Sequence, residues 1–162
     1  MKRIISILLT GLMVVGMFGC SKKPEPITDI PATPEEAMTD ANLVFYYYEA
    51  VTGTVGGDCS VTYRLYRYNG TELVLSRTDH TTDDEEISTY RLVPASTLDD
   101  CMKVVKKYKM GKGKWINGIG ITGGYLSAGF YKKDEWIKVT SDNMPDNGQE
   151  AFSAIHKILA NA

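Results

Sequence analysis

From Leu43 onward, apolar and polar positions alternate with period two. "LVFYYYEAV" (Leu43 to Val51) reads as a first strand, and "SVTYRLYRY" (Ser60 to Tyr68) as a second with Val61, Tyr63 and Leu65 on one face. Asn69-Gly70 then predicts a type I′ turn, which needs positive φ at both positions, and Thr71 to Thr78 returns as a third strand. After an acidic loop, Glu86 to Val93 is a fourth strand, stopped by Pro94, which has no N–H for a ladder. The period then changes. Leu98, Cys101, Met102, Val105 and Tyr108 fall at helical spacing behind a Ser96/Asp99 capping pattern, which predicts a helix from Thr97 to about Lys109. A glycine-rich connection leads to a hairpin of Thr122 to Lys132 with Glu135 to Thr140, turning at Lys133-Asp134. The chain closes with a second helix, started by Pro145 and Asp146, capped with Gln149, and striped by Phe152, Ile155, Ile158 and Leu159. Strands segregated from helices in this order predict an α+β architecture: an antiparallel sheet of about six strands with two helices packed on one face.

The first 42 residues follow neither period. Lys2 and Arg3 precede an apolar run of 15 residues, Ile4 to Phe18, closed by Lys22 and Lys23. A membrane-crossing helix needs about 20 apolar residues, so the run fits the apolar core of a signal peptide instead. Met17-Phe18-Gly19-Cys20 resembles the lipobox of bacterial lipoproteins. The resemblance implies cleavage before Cys20, a diacylglyceryl group on its sulfur, and a protein held at the cell membrane, facing outside the cytoplasm. The physics of such an anchor is general: each buried CH₂ contributes roughly 0.8 kcal/mol, and two acyl chains hold where one exchanges. Beyond this motif the domain is similar in general character to small lipoproteins of Gram-positive bacteria, without a named family. The expected organisation is a signal peptide over 1–19, a lipidated Cys20 with a Pro-rich tether over 20–42, and one domain over 43–162. Extended at about 3.1 Å per residue, such a tether reaches at most about 60 Å.

Composition narrows the function classes. With 43% hydrophobic and 23% charged residues in 162, one globular domain is expected. A formal net charge of −2 lacks the clustered basic excess of a phosphate-reading protein, so no nucleic-acid partner is expected. Gly118 to Gly123 spells G-x-G-x-x-G, but a period-two strand follows where the dinucleotide fingerprint needs a helix. No cofactor is expected. "DHTTDDEE" (Asp79 to Glu86) lacks the ordered alternation and turn glycine of a calcium loop, and no zinc-type spacing of Cys and His is present, so no metal site is assigned. His80 and His156 have no nucleophile at a recognisable spacing, and no catalytic residue is assigned.

Three residue sets remain. Of ten tyrosines, Tyr46, Tyr48, Tyr66 and Tyr68 form a candidate aromatic face, because alternation sends consecutive Tyr46 and Tyr47 to opposite sides of the sheet. Lys103, Lys106 and Lys107 are candidates for contact with an anionic surface, against a plain solvated helix face. Cys59 and Cys101 are candidates for a disulfide, which an exported location permits, against two buried thiols. The expectation is a lipid-anchored, non-catalytic binding or envelope-interaction domain, whose partners are the membrane through its anchor and an envelope protein, glycan or peptide. The alternatives are a structural accessory subunit of an envelope complex and a hydrolase with dispersed catalytic groups.

Overall fold

The computed structural model describes residues 31–53, 57–81, 85–113, 115 and 125–162. The segment read as a signal peptide, Cys20 and the G-x-G-x-x-G stretch lie outside the described residues. The strands are β1 (Leu43–Gly53), β2 (Gly57–Arg67), β3 (Glu72–His80), β4 (Glu86–Pro94), β5 (Tyr125–Lys132) and β6 (Glu135–Thr140). They form one antiparallel sheet in the order β4-β3-β2-β1-β5-β6. Among the described residues three helical segments of a turn or more accompany it: a single turn, α1 (Pro34–Ala37), then α2 (Ser96–Lys107) and α3 (Gly148–Asn161). The α+β reading is correct, with α2 and α3 as its two substantial helices.

Register explains which side chains enter the core. Phe45 pairs with Leu65 and Phe130, Tyr47 with Tyr63 and Ala128, and Leu65 with Leu75. These side chains share one face, and Cys101 and Val105 of α2 and Ala151, Phe152, Ile155 and Leu159 of α3 pack against it. The stripe read from α3 is thus the buried one, apart from Ile158 at its edge. Phe152 sits at the centre, 6.3 Å from the Tyr47 ring and 5.7 Å from Trp115. Trp115 is itself held by a 3.0 Å bond from its Nε1 to the Tyr108 carbonyl. A bulge at the start of β1 sends both Val44 and Phe45 to this core and leaves Leu43 on the other face.

Local chemistry departs from expectation at the first hairpin, while the second turns at Lys133-Asp134 as read from the sequence. At Asn69-Gly70 neither residue has positive φ, so the turn is not type I′. Asn69 Oδ1 instead accepts from the Thr71 and Glu72 backbone N–H groups at 2.9 and 2.7 Å, and a side-chain-capped loop replaces the backbone turn. The two-residue turn with positive φ lies at Lys133-Asp134, at 51° and 65°, without a glycine. The helix caps also differ. Ser96 lies inside α2 behind Ala95, and Asn147 precedes α3, neither position making a side-chain cap bond.

The segment assigned to the tether is partly structural. Thr33 caps α1 through its side chain, Ala37 is fully buried with Tyr66 and Val74, and Asn42 is buried at the start of β1. Ala37 and Met38 seat this segment against Tyr66 and Val74, and Glu35 accepts the Tyr90 hydroxyl across from β4.

Candidate functional site

Both substantial helices lie on one side; on the second face only the single turn α1 packs, over Tyr66 and Val74 at one corner with Glu35 accepting the Tyr90 hydroxyl, and the rest is left to side chains. Tyr46, Tyr48, Thr62, Arg64, Ser76, Thr78, Tyr90, Leu92, Ser127, Gly129, Tyr131 and Trp136 share this face by register. It has two levels. Small residues form the floor: Ser127 is 0% exposed, Thr62 4% and Thr78 5%, although no helix covers them. Rings form the upper level. An ideal Cβ on Gly129 would lie 2.4 Å from Trp136 Cζ2, so the indole lies across that bare backbone. Tyr131 meets Trp136 edge-on at 5.0 Å, Tyr48 meets Tyr125 at 5.7 Å, and the Arg64 guanidinium sits 5.9 Å from the Tyr46 ring centre. The Ser127 hydroxyl under these rings has no hydrogen-bond partner among the described residues.

The aromatic face therefore differs from the set Tyr46, Tyr48, Tyr66 and Tyr68. Tyr46 and Tyr48 do lie on it. Tyr66 is covered by α1 and packs with Ala37 and Val74, and Tyr68 joins that corner, so neither is offered to solvent as a platform. The large exposed apolar groups on this face are Tyr90 and Leu92 on edge strand β4, Tyr131 on β5 and Trp136 on edge strand β6, while Ile87 of β4 is exposed on the opposite side. Parity along each strand was readable, but which strands neighbour β1 was not. The strongest available signal was glycine in a strand beside a tryptophan hairpin partner.

A second constellation lies at the opposite face, where α3 leaves the sheet. Glu49 Oε2 accepts the Tyr47 hydroxyl at 2.7 Å and lies 2.7 Å from His156 Nδ1. The His156 ring stands edge-on to Tyr47 and Tyr63, 5.7 Å from each. Burial, then the Glu49 hydrogen bond, pushes the Tyr47 hydroxyl well above its ordinary range, so it stays a donor. Two open clefts flank this pair. One, of about 430 Å³, is bounded by Leu126, Gln149 and Ser153; the other, of about 460 Å³, by Cys59, Val61, Arg77 and His80. Arg77 is already paired with Asp79 at 2.8 Å and stacks on Tyr63. Glu49 thus joins β1 to α3 chemically, and a carboxylate ordering one imidazole nitrogen leaves the other on the cleft side. Among the described residues no cluster of three or more metal-ligating side chains is present.

The remaining candidates disperse. Lys103 pairs with Asp100 at 2.8 Å, Lys107 lies 4.9 Å from the Tyr108 ring centre, and Lys106 borders a cavity beneath α2. The bridge considered for Cys59 and Cys101 is not formed: both are free thiols, Cys59 exposed on β2 and Cys101 fully buried beneath α2, where burial pushes its thiol up to about 12. Among the described residues no helix is long and apolar enough to cross a membrane. No protein-family model matches the chain, and no curated protein matches it.

Proposed function

We propose that this chain is a lipid-anchored, extracytoplasmic, non-catalytic binding protein that docks a partner protein of the cell envelope on the face of its sheet opposite α2 and α3. The observation that carries the reading is the ring layer of that face, with Tyr90, Leu92, Tyr131 and Trp136 all more than a third exposed. An antiparallel sheet can present one face to water, but then the outward positions are ordinarily polar. Here the large side chains above the Ser and Thr floor are tyrosine, tryptophan, arginine and leucine, and the first three are the side chains that anchor protein interfaces.

Shape favours a protein over a small ligand, because small ligands take concave sites and this face is broad. Five strand spacings and about seven residues along each strand give roughly 24 by 23 Å, the same order as one partner's ~800 Å² share of a standard interface. Charge selects among proteins. Arg64 and Lys138 stand on the face, while Glu72 and Glu86 lie towards its corners, Glu72 turned to Asn69. The fitting partner is apolar with a carboxylate for Arg64, the cation on central strand β2. The lipobox-like Cys20 supplies the anchor, and a tether of about a dozen residues between Cys20 and α1 keeps the face near the membrane.

Site-specific photo-crosslinking of the full chain, in the cells that make it, tests the docking. A crosslinker at Tyr90, Tyr131 or Trp136 should give one common protein adduct that is lost with Arg64→Glu, and a crosslinker at Ser153 or Lys107 should not. Equal adducts from both faces, or none from the sheet, would reject the reading. Labelled fatty acid should enter the wild type and not Cys20→Ser; equal labelling would reject the anchor separately.

A further inference from the structure

Under the C-terminal end of α2 lies a cavity of about 360 Å³ that neither the ring layer nor the Glu49 cleft touches. Its walls are Val105, Met110 and Phe130, all buried, with half-buried Met102 at one side. A local backbone device makes the space. After α2 the chain turns through Lys109 at φ 53° and Gly111 at φ 71°, and a Cβ on Gly111 would meet Ile137 Cγ2 at 2.8 Å. The turn therefore presses close to β6 and leaves an opening between α2 and β5.

Among the described residues the lining contains four basic side chains and no acidic one: Lys106, Lys109, Lys112 and Lys132. Lys132 is held in place by its 3.4 Å bond to the Gly111 carbonyl. None of the four makes an ion pair among the described residues, whereas Lys103 on the same helix does. Solvated lysines need no explanation singly. Four converging on the mouth of an apolar hollow repel one another, and no carboxylate in the lining relieves them.

We infer that this cavity binds one amphipathic anion, a single acyl chain carrying a carboxylate, with the chain inside and the head among the lysines. The volume is more than twice the ~150 Å³ that holds a benzene ring and stands at the lower end of small-ligand pockets. The walls fit a flexible chain, because Met102 and Met110 are the side chains that adapt most readily to an irregular apolar occupant. The lysines fit a head that reaches the surface. Lys106 and Lys109 lie on the helix side, Lys132 across the opening on β5, and Lys112 in the connecting turn. The assignment takes only Lys106 from the set Lys103, Lys106 and Lys107 read as a contact for an anionic surface, since Lys103 and Lys107 already have local partners.

The test uses the full chain in uncharged detergent, labelled by dodecanoate bearing a diazirine and mapped by peptide mass. Adducts should concentrate on peptides carrying Met102 to Met110 and Phe130, and excess dodecanoate should compete them away. Lys109→Gln with Lys112→Gln should reduce labelling about tenfold without shifting the thermal midpoint, two surface lysines each contributing modestly to holding an anion. Equal competition by dodecanol would overturn the inference by showing an apolar hollow alone. Competition by acetate or inorganic phosphate would overturn it by showing a surface anion site. Competition by phosphatidylglycerol vesicles but not by dodecanoate would leave only a membrane contact and overturn it too.

Discussion

Gly129→Ala tests the structure of the proposed docking face directly. Gly129 lies within β5 and is not at positive φ, so alanine would ordinarily favour a strand there by about 0.5–1 kcal/mol. Against this, the new Cβ would lie 2.4 Å from Trp136 Cζ2 and 2.9 Å from Cε2, distances at which the indole must move. An aromatic side chain buries on the order of 150 Å² or more. Returning half of that to water, about 75 Å², costs about 2 kcal/mol at ~25 cal/mol per Å². The net effect is a destabilisation of about 1–1.5 kcal/mol, with the indole more exposed. Urea unfolding reads the first quantity. Acrylamide quenching reads the second, because Trp115 is 3% exposed and Trp136 36%, so the accessible component belongs to Trp136. Gly70→Ala is the control, since a Cβ there meets nothing within 4 Å. If Gly129→Ala stabilised the protein by what alanine alone brings, with quenching unchanged, the indole does not lie across the strand and the ring layer is wrong.

Other outcomes follow from the same geometry. Lys133→Asn with Asp134→Gly should raise stability by about 1–2 kcal/mol in urea unfolding, because both positions hold positive φ that these residues adopt more readily; no gain would deny the turn type. Tyr47→Phe should cost about 1.5 kcal/mol, since it removes a hydroxyl donor from a carboxylate in a partly buried cluster, and an unchanged urea midpoint would mean water replaces it. In the folded protein Cys59 should react with a maleimide and Cys101 should not, as read by intact mass; two rapid additions would place Cys101 outside the core. Because burial raises the Cys101 thiol from about 9 to about 12, the unfolded chain ionises it first. The stability that the neutral thiol contributes is complete below pH 9 and declines as pH rises toward 12. The advantage of wild type over Cys101→Ala should shrink across that window; a constant advantage would contradict the burial.

The core side of this fold was legible residue by residue. Val61, Tyr63 and Leu65 do share a face, and Phe152, Ile155 and Leu159 are the buried stripe of the last helix. Period carries that information because each side chain's direction depends only on its own strand or helix. Turn chemistry was less transferable. Asn69-Gly70 has the favoured composition for a type I′ turn, but the Asn69 side chain found backbone donors first, while Lys133-Asp134 adopted positive φ because β5 and β6 are joined by only two residues. Composition also misplaced residues 34–42, where a proline-containing, acidic segment still buries Ala37 against Tyr66 and Val74.

What the sequence by itself determined is therefore local: the strands and helices and the two-sidedness of each. What only the tertiary structure decided is adjacency. Tyr131 and Trp136 became neighbours of the Tyr46 strand because β5 inserts beside β1, 75 or more residues away in the chain. Glu49 met His156, 107 residues on, because α3 returns across the same strand. The lysines beneath α2 gained an apolar hollow because a left-handed turn at Lys109 and Gly111 brought β5 beneath them. Periodicity sets the direction in which a side chain points, but its partner depends on strand order and helix return, which the summed burial of the whole chain selects.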